Sequence, residues 1–150
     1  MKLEYTGEEK IPVGPSTVWA FVSDPSKVGR CLPDVIDVTV KDPTHVEATV
    51  KVAVGPVRGK FKLQLELRPD ATRQRVELSV AGGGFGSAVD LTAGADVIGA
   101  GDGTTLLKWS GAAEARGPVA AVGSRVLDAQ AHKIIAQAFA NVRQELSSRV

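Results

Sequence analysis

From Val35 to Ala115 the apolar residues recur at every second position, in one segment after another. After Gly117 the spacing changes to three and four. A period of two puts successive side chains on opposite faces of a strand, and a period near 3.6 puts them on one stripe of a helix. Val46, Ala48, Val50, Val52 and Val54 alternate with Glu47, Thr49 and Lys51. Val57, Phe61, Leu63, Leu65 and Leu67 alternate with Arg58, Lys60, Lys62, Gln64, Glu66 and Arg68. Val76, Leu78 and Val80 oppose Arg75, Glu77 and Ser79, and Ile36, Val38 and Val40 oppose Asp37, Thr39 and Lys41. Turn residues separate these runs: Asp42-Pro43, Gly55-Pro56, Pro69-Asp70, the Gly82–Gly86 stretch and Gly99–Gly103. Alternation over successive short-looped strands means one antiparallel sheet, dry on one face and wet on the other.

Two further strands, from Ser87 to about Ile98 and from Thr104 to Ala115, complete this run. Before it, Leu3, Tyr5, Gly7, Ile11 and Val13 alternate with polar residues, and Glu9 breaks the apolar side. Pro15 opens a short helix through Val22. Asp24 as N-cap with Pro25 after it opens a second, to about Cys31. After Gly117, the residues Val122, Val126, Leu127, Ile134, Ile135, Ala138, Phe139, Val142 and Leu146 predict an amphipathic helix of about thirty residues, roughly 45 Å long. The dry sheet face and the apolar helix stripe each need a cover. The expected fold is therefore α+β of the helix-grip type: a curved seven-stranded antiparallel sheet wrapped around a long C-terminal helix, with two short helices after strand 1.

At 150 residues the chain is expected to form a single domain over 1–150 with a core that needs no staples. Eighteen Lys and Arg against seventeen Asp and Glu give a net charge of +1, so no general attraction to nucleic acid is expected. The single Cys31 cannot form an internal disulfide and points to a reducing compartment. No secretory signal and no membrane-spanning run are recognised, and the expected location is cytoplasmic.

Four short motifs sit in order on this framework: Phe21-Val22-Ser23-Asp24-Pro25, Cys31-Leu32-Pro33-Asp34, Val54-Gly55-Pro56-Val57 and Gly123-Ser124-Arg125. With them the chain resembles, over nearly its whole length, the CoxG family, the G-subunit of carbon monoxide dehydrogenase. That family belongs to the START/SRPBCC superfamily of hydrophobic-ligand-binding proteins. The resemblance implies an accessory role to molybdenum hydroxylases of the carbon monoxide or xanthine dehydrogenase type, in assembly, recruitment or ligand delivery. Asp34 stands where the family usually has Gly, so a different turn is expected there. Longer family members continue into a linker and a hydrophobic tail. This chain ends at Val150, so tail anchoring is not carried over, while peripheral contact with the inner face of a membrane remains open.

Other chemistry finds little support. Gly82-Gly83-Gly84-Phe85-Gly86 does not satisfy G-x-G-x-x-G, since positions 87 and 89 are Ser and Val. Gly55 to Lys60 falls one residue short of a phosphate loop and has Phe61 in place of the hydroxyl. Cys31, His45 and His132 are isolated in separate segments, which gives no zinc set, and no cofactor is expected. Asp90 and Asp96 share one parity of a strand. Facing inward they would be candidates for proton transfer in a cyclase- or hydratase-type enzyme. The opposite parity, Val89, Leu91, Ala93, Ala95 and Val97, is apolar throughout and should take the interior, because an unpaired buried carboxylate costs several kcal/mol.

Hydrophobic-ligand binding has positive support. The dry parity collects Val50, Val52, Phe61, Leu63, Leu65, Val76, Leu78, Val80, Val89, Leu91, Ala93, Leu107, Trp109, Gly111 and Ala113, with Val122, Val126, Ile135 and Phe139 of the helix beneath. The middle strands carry large side chains and the last two carry Ala and Gly. Eleven of the glycines fall between Gly82 and Gly123, and the aromatics are few. Small residues opposite a helix either let it pack close or leave a void. A void on that side would hold an elongated lipid- or quinone-like molecule. On the wet face, Lys51, Arg58, Lys60 and Lys62 gather. They form either an ordinary solvated surface or a docking patch for an acidic protein or an anionic membrane, the latter two suiting a ligand-free interaction adaptor.

Overall fold

Seven strands pair antiparallel in a single curved sheet in the computed structural model, which describes residues 1–147. They are β1 (Lys2–Ile11), β2 (Val35–Asp42), β3 (His45–Val54), β4 (Val57–Asp70), β5 (Arg75–Gly84), β6 (Ser87–Gly99) and β7 (Thr105–Arg116). Their spatial order is β1-β7-β6-β5-β4-β3-β2. From β2 to β7 each strand pairs with the next by a hairpin, as short turns require, and β1 returns to the far edge beside β7. Helices α1 (Pro15–Val22) and α2 (Pro25–Arg30) follow β1, and α3 (Ser124–Ser147) crosses the concave face. This is the helix-grip architecture expected from the alternation.

The local causes are visible in the chain. Pro15 and Pro25 occupy the first turns of α1 and α2, where a missing N–H costs nothing. Asp24 caps α2: its Oδ1 accepts from the Ser26 backbone N–H at 2.9 Å and from the Ser26 hydroxyl at 2.7 Å. Glu9, the charge on the dry side of β1, is paired there with Arg143 of α3, whose guanidinium also donates to the Lys10 carbonyl at 3.1 Å.

Two local expectations are corrected. The continuous thirty-residue helix is divided: Gly117–Val122 is 3₁₀, and Gly123, at φ +98°, turns the chain before the 24 residues of α3 begin. A backbone at that φ cannot continue a right-handed helix. The α-helix is thus roughly 36 Å long. In β2 a register shift between Val35 and Asp37 inserts an extra residue. Val35 and Val38 consequently lean inward while Ile36 is exposed, the reverse of a strict alternation. At the Cys-Leu-Pro turn, Asp34 adopts φ +57°, a left-handed conformation that Asp tolerates better than most residues.

The buried side chains fall into three groups. One, at the α1 end, joins Ile11, Val18, Phe21, Cys31, Leu67, Val97 and Leu107 to Leu146 of α3. A second, at the opposite end, joins Val54, Val57, Phe61, Ala115 and Val119 to Leu127 of α3. The third, Val46, Ala48, Leu65 and Val80, belongs to the middle of the sheet and contains no helix residue.

Candidate ligand-binding site

Helix α3 is buried at its two ends only. Leu127 is 7% exposed and Leu146 is 0% exposed, and no residue between them is buried. Nineteen steps at 1.5 Å separate the two, about 28 Å of helix, in which Phe139 and Val142 pack partly buried against the α1-end core while Gln130 and Ile134 border open space. Beneath this span Leu63, Leu78, Leu91, Ala93, Trp109 and Gly111 face inward yet keep part of their surface accessible. A close-packed helix would have covered them.

Polar ties hold α3 to one side. The Tyr5 hydroxyl donates to Asp128 Oδ1 at 2.7 Å, and the His132 ring meets the Tyr5 ring edge-on at 5.1 Å. Burial, followed by the hydrogen bond and negative charge of Asp128, pushes the Tyr5 pKa up to about 12. With the Glu9–Arg143 pair, these contacts bind the helix along edge strand β1. Near α2, the Asn141 amide donates to the Cys31 carbonyl at 3.0 Å.

On the other side the grip opens. A cavity of about 580 Å³ lies between β3, β4, the Leu32–Asp34 loop and the middle of α3. Leu32, Pro33, Val50, Val52, Val54, Leu63 and Ile134 supply its apolar lining, and Lys51, Arg58, Lys60 and Asp34 its polar rim. The opening follows from the register: β2 pairs with β3 only from Val50 back to His45, which leaves Lys51–Val54 without an outer neighbour strand. There the Lys51 N–H donates to the Asp34 carbonyl at 3.0 Å, so the turn at Asp34 sets where the edge strand begins.

Of the residues expected to line a ligand site, Val50, Val52 and Leu63 line this cavity. Phe61, Leu65, Val76 and Leu107 are buried in the core groups, and Val80 is packed with Leu65. Leu78, Val89, Leu91, Ala93, Trp109, Gly111 and Ala113 lie partly accessible on the concave face, with Val122, Ile135 and Phe139 partly buried across from them. Val126 is the exception. It is 43% exposed on the outer side of α3, and Leu127 takes the inward place. Leu127 shares the helix face of Ile135, Val142 and Leu146, and Val126 stands about 100° away from it. Sequence reasoning passed over Leu32, Pro33, Val54 and Ile134. The Cys-Leu-Pro motif was the available signal for the first two, and Ile134 was in the helical pattern.

Space was expected beside the last two strands; the cavity of about 580 Å³ is at β3 and β4, and the hollows bordered by Trp109 and by Ala93 and Gly111 are smaller, about 290 and 270 Å³. At one small residue of the neighbouring strand β1 an aromatic takes the room. Trp109 lies against Gly7, its ladder partner, so closely that a Cβ there would stand 2.8 Å from the ring. Tyr5 is opposite Gly111, and Phe139 packs on Trp109 at 5.6 Å between ring centres. The Trp109 indole N–H is buried without an acceptor.

Asp90 and Asp96 face outward, as the alternation required. Asp90 pairs with Arg116 at 2.6 Å and Asp96 with Arg75 at 3.1 Å, both outside the grip. His45 bridges Asp42 at 2.9 Å and Glu66 at 3.0 Å on the surface. The hydrogen bond to Asp42 raises the His45 pKa, and the Thr44 backbone N–H leads in lowering that of Asp42 to about 2. Among the described residues no three His, Cys, Asp or Glu side chains could hold a metal ion together.

A sheet gripping a helix, with an apolar hollow between them, defines a START-type fold. Solved structures agree: the conserved protein from Geobacillus kaustophilus (TM-score 0.87, 24% identity, 97% of this chain and 96% of that one) and a START superfamily protein from Mycobacterium smegmatis (0.75, 12%, 98% and 99%). An aromatase/cyclase from a Streptomyces species shares the fold at TM-score 0.71 and 11% identity, over 99% of this chain and 96% of that one. No curated protein matches the chain in sequence. The family model for CoxG, the carbon monoxide dehydrogenase G-subunit, matches residues 7–147, and the chain belongs to the CoxG family. Among the described residues no helix is long and apolar enough to cross a membrane.

Proposed function

We propose that this protein binds an elongated apolar molecule, lipid-like or quinone-like, in the hollow between the sheet and α3. It would do so as an accessory protein to a molybdenum hydroxylase of the carbon monoxide or xanthine dehydrogenase type, not as a catalyst. The observation that carries this reading is a helix buried only at Leu127 and Leu146 above an accessible concave face, with about 580 Å³ open to one side. That volume falls within the roughly 300–1,000 Å³ of small-molecule pockets. The family supports the accessory role. The cyclase reading loses its proposed residues, because Asp90 and Asp96 are ion-paired outside the grip.

Native mass spectrometry of freshly purified protein, followed by solvent extraction, tests the proposal. A co-purified apolar molecule, displaced in a Val52→Trp variant that fills the cavity, is the expected result. A fluorescent lipid analogue that binds wild type and Val52→Trp equally would place binding elsewhere and defeat it.

A further inference from the structure

Strand β2 is one edge of the sheet, paired with β3 alone. An open edge is a template for another strand, and folds usually guard it. The ladder shows which groups β2 leaves open. The Lys51 N–H donates to the Asp34 carbonyl at 3.0 Å, so the odd-numbered residues of β3 turn their backbone groups toward β2. Antiparallel alternation then makes Asp37–Thr49 and Thr39–Glu47 the hydrogen-bonded pairs. The N–H and C=O groups of Val38 and Val40 point the other way, out of the sheet.

The side chains of this edge are open as well. Val38 is partly buried where Gly29 of α2 lies against it, but Val40 is 56% exposed. Asp37, Thr39 and Lys41 are all exposed. The Gln64 hydrogen bond leads in lowering the Glu47 pKa and the charge of Lys41 adds to it, so Lys41 stands on the outer face near Thr39 and Glu47. Among the described residues nothing pairs with the Asp37 carboxylate.

This segment is complementary to itself. Set antiparallel about a two-fold axis through Thr39, Asp37 falls opposite Lys41 of a second copy, and Val38 falls opposite Val40 of that copy. The Val38–Val40 pairs are then the bonded ones, and they use the backbone groups that β2 leaves open. The two Thr39 side chains meet at the axis. An axis through Asp37 or Lys41 would set like charges face to face, which is destabilising. An axis through Val38 or Val40 would leave each charge without its opposite.

We propose that β2 is the interface of a homodimer in which two sheets join edge to edge about Thr39. The contact is isologous, the commonest symmetry of soluble oligomers. A strand of another protein would satisfy the backbone groups alone, whereas a second copy also matches the charge order. One edge ladder buries less than the roughly 1,200 Å² of standard interfaces, so the dimer fills only as concentration rises.

Sedimentation equilibrium of the full chain over a range of concentrations tests this, with a monomer–dimer equilibrium as the expected result. Asp37→Lys brings a cation to face Lys41, and Lys41→Asp brings an anion to face Asp37, each at two symmetry-related places. Either one should weaken association roughly thirtyfold. The two together restore opposite charges in exchanged places and should recover the dimer, a rescue that mere loss of stability would not give. Circular dichroism checks that each variant is folded. Thr39→Cys should form a disulfide between copies under mild oxidation, because residues opposed in a non-bonded pair lie about 4.5 Å apart at Cα. Ile36→Cys, exposed but far from its own counterpart across the axis, should not. A monomer at every concentration, a dimer indifferent to both single charge reversals, or equal cross-linking at the two cysteines would overturn the proposal.

Discussion

The pinned helix makes a quantitative prediction. Leu146 is 0% exposed and sits among Ile11, Phe21, Leu107 and their neighbours. Truncation to Ala removes three carbons from a filled site and leaves a cavity, at a cost of about 3 kcal/mol. With total stabilities of about 5–15 kcal/mol, that is a large share, and for a domain of this size it lowers the melting temperature by roughly 9 °C. Ile134 also lies on α3, but it is 42% exposed and already borders the hollow. Ile134→Ala loses only partial burial, creates no new void and gains helix propensity, so its cost should stay below about 1 kcal/mol. Calorimetry on the ligand-free protein, with urea unfolding as a second measure, reads both. If Ile134→Ala cost as much as Leu146→Ala, the middle of the helix would be packed and the hollow would not exist. Adding an apolar ligand should separate the variants in the opposite sense: Leu146→Ala should retain binding while folded, and Ile134→Ala should bind more weakly.

Two further outcomes follow from the same contacts. Gly7→Ala forces a Cβ to 2.8 Å from the Trp109 ring. It should cost about 1–3 kcal/mol and alter the near-ultraviolet circular dichroism of that tryptophan. His45 has a raised pKa, owed first to its hydrogen bond with Asp42. Its contribution to stability is therefore fully present below its unfolded pKa of about 6.5 and lost as pH rises through the folded value. NMR titration should place the His45 midpoint above that of a model peptide, and His45→Gln should flatten this part of the stability profile. A midpoint below the model-peptide value would contradict the Asp42–His45–Glu66 arrangement.

The strands were legible because their signal is local. A period of two assigns every side chain of β3 to β7 to a face, and that assignment sent Asp90 and Asp96 outward to Arg116 and Arg75. The signal weakened where geometry departs from the ideal. One extra residue at the β2 bulge exposed Ile36, and the φ of +98° at Gly123 divided the expected thirty-residue helix. Alternation carries no information about either event.

The sequence by itself determined the fold class, the dry face and the need for a helix to cover it, because these follow from burying apolar area at fixed periodicities. Where the hollow lies was decided only in three dimensions. Ala93 and Gly111 pointed to the last two strands, but a Cβ at Gly111 would meet Ala93 and the Thr92 carbonyl across the ladder, so these two positions pack against each other. The cavity opened instead where β2 stops pairing with β3, and where α3, tied to β1 by Tyr5–Asp128 and Glu9–Arg143, leaves part of β3 and β4 around Val52 and Leu63 open. An enclosed volume depends on the separation of elements far apart in the chain, and no local pattern records that distance.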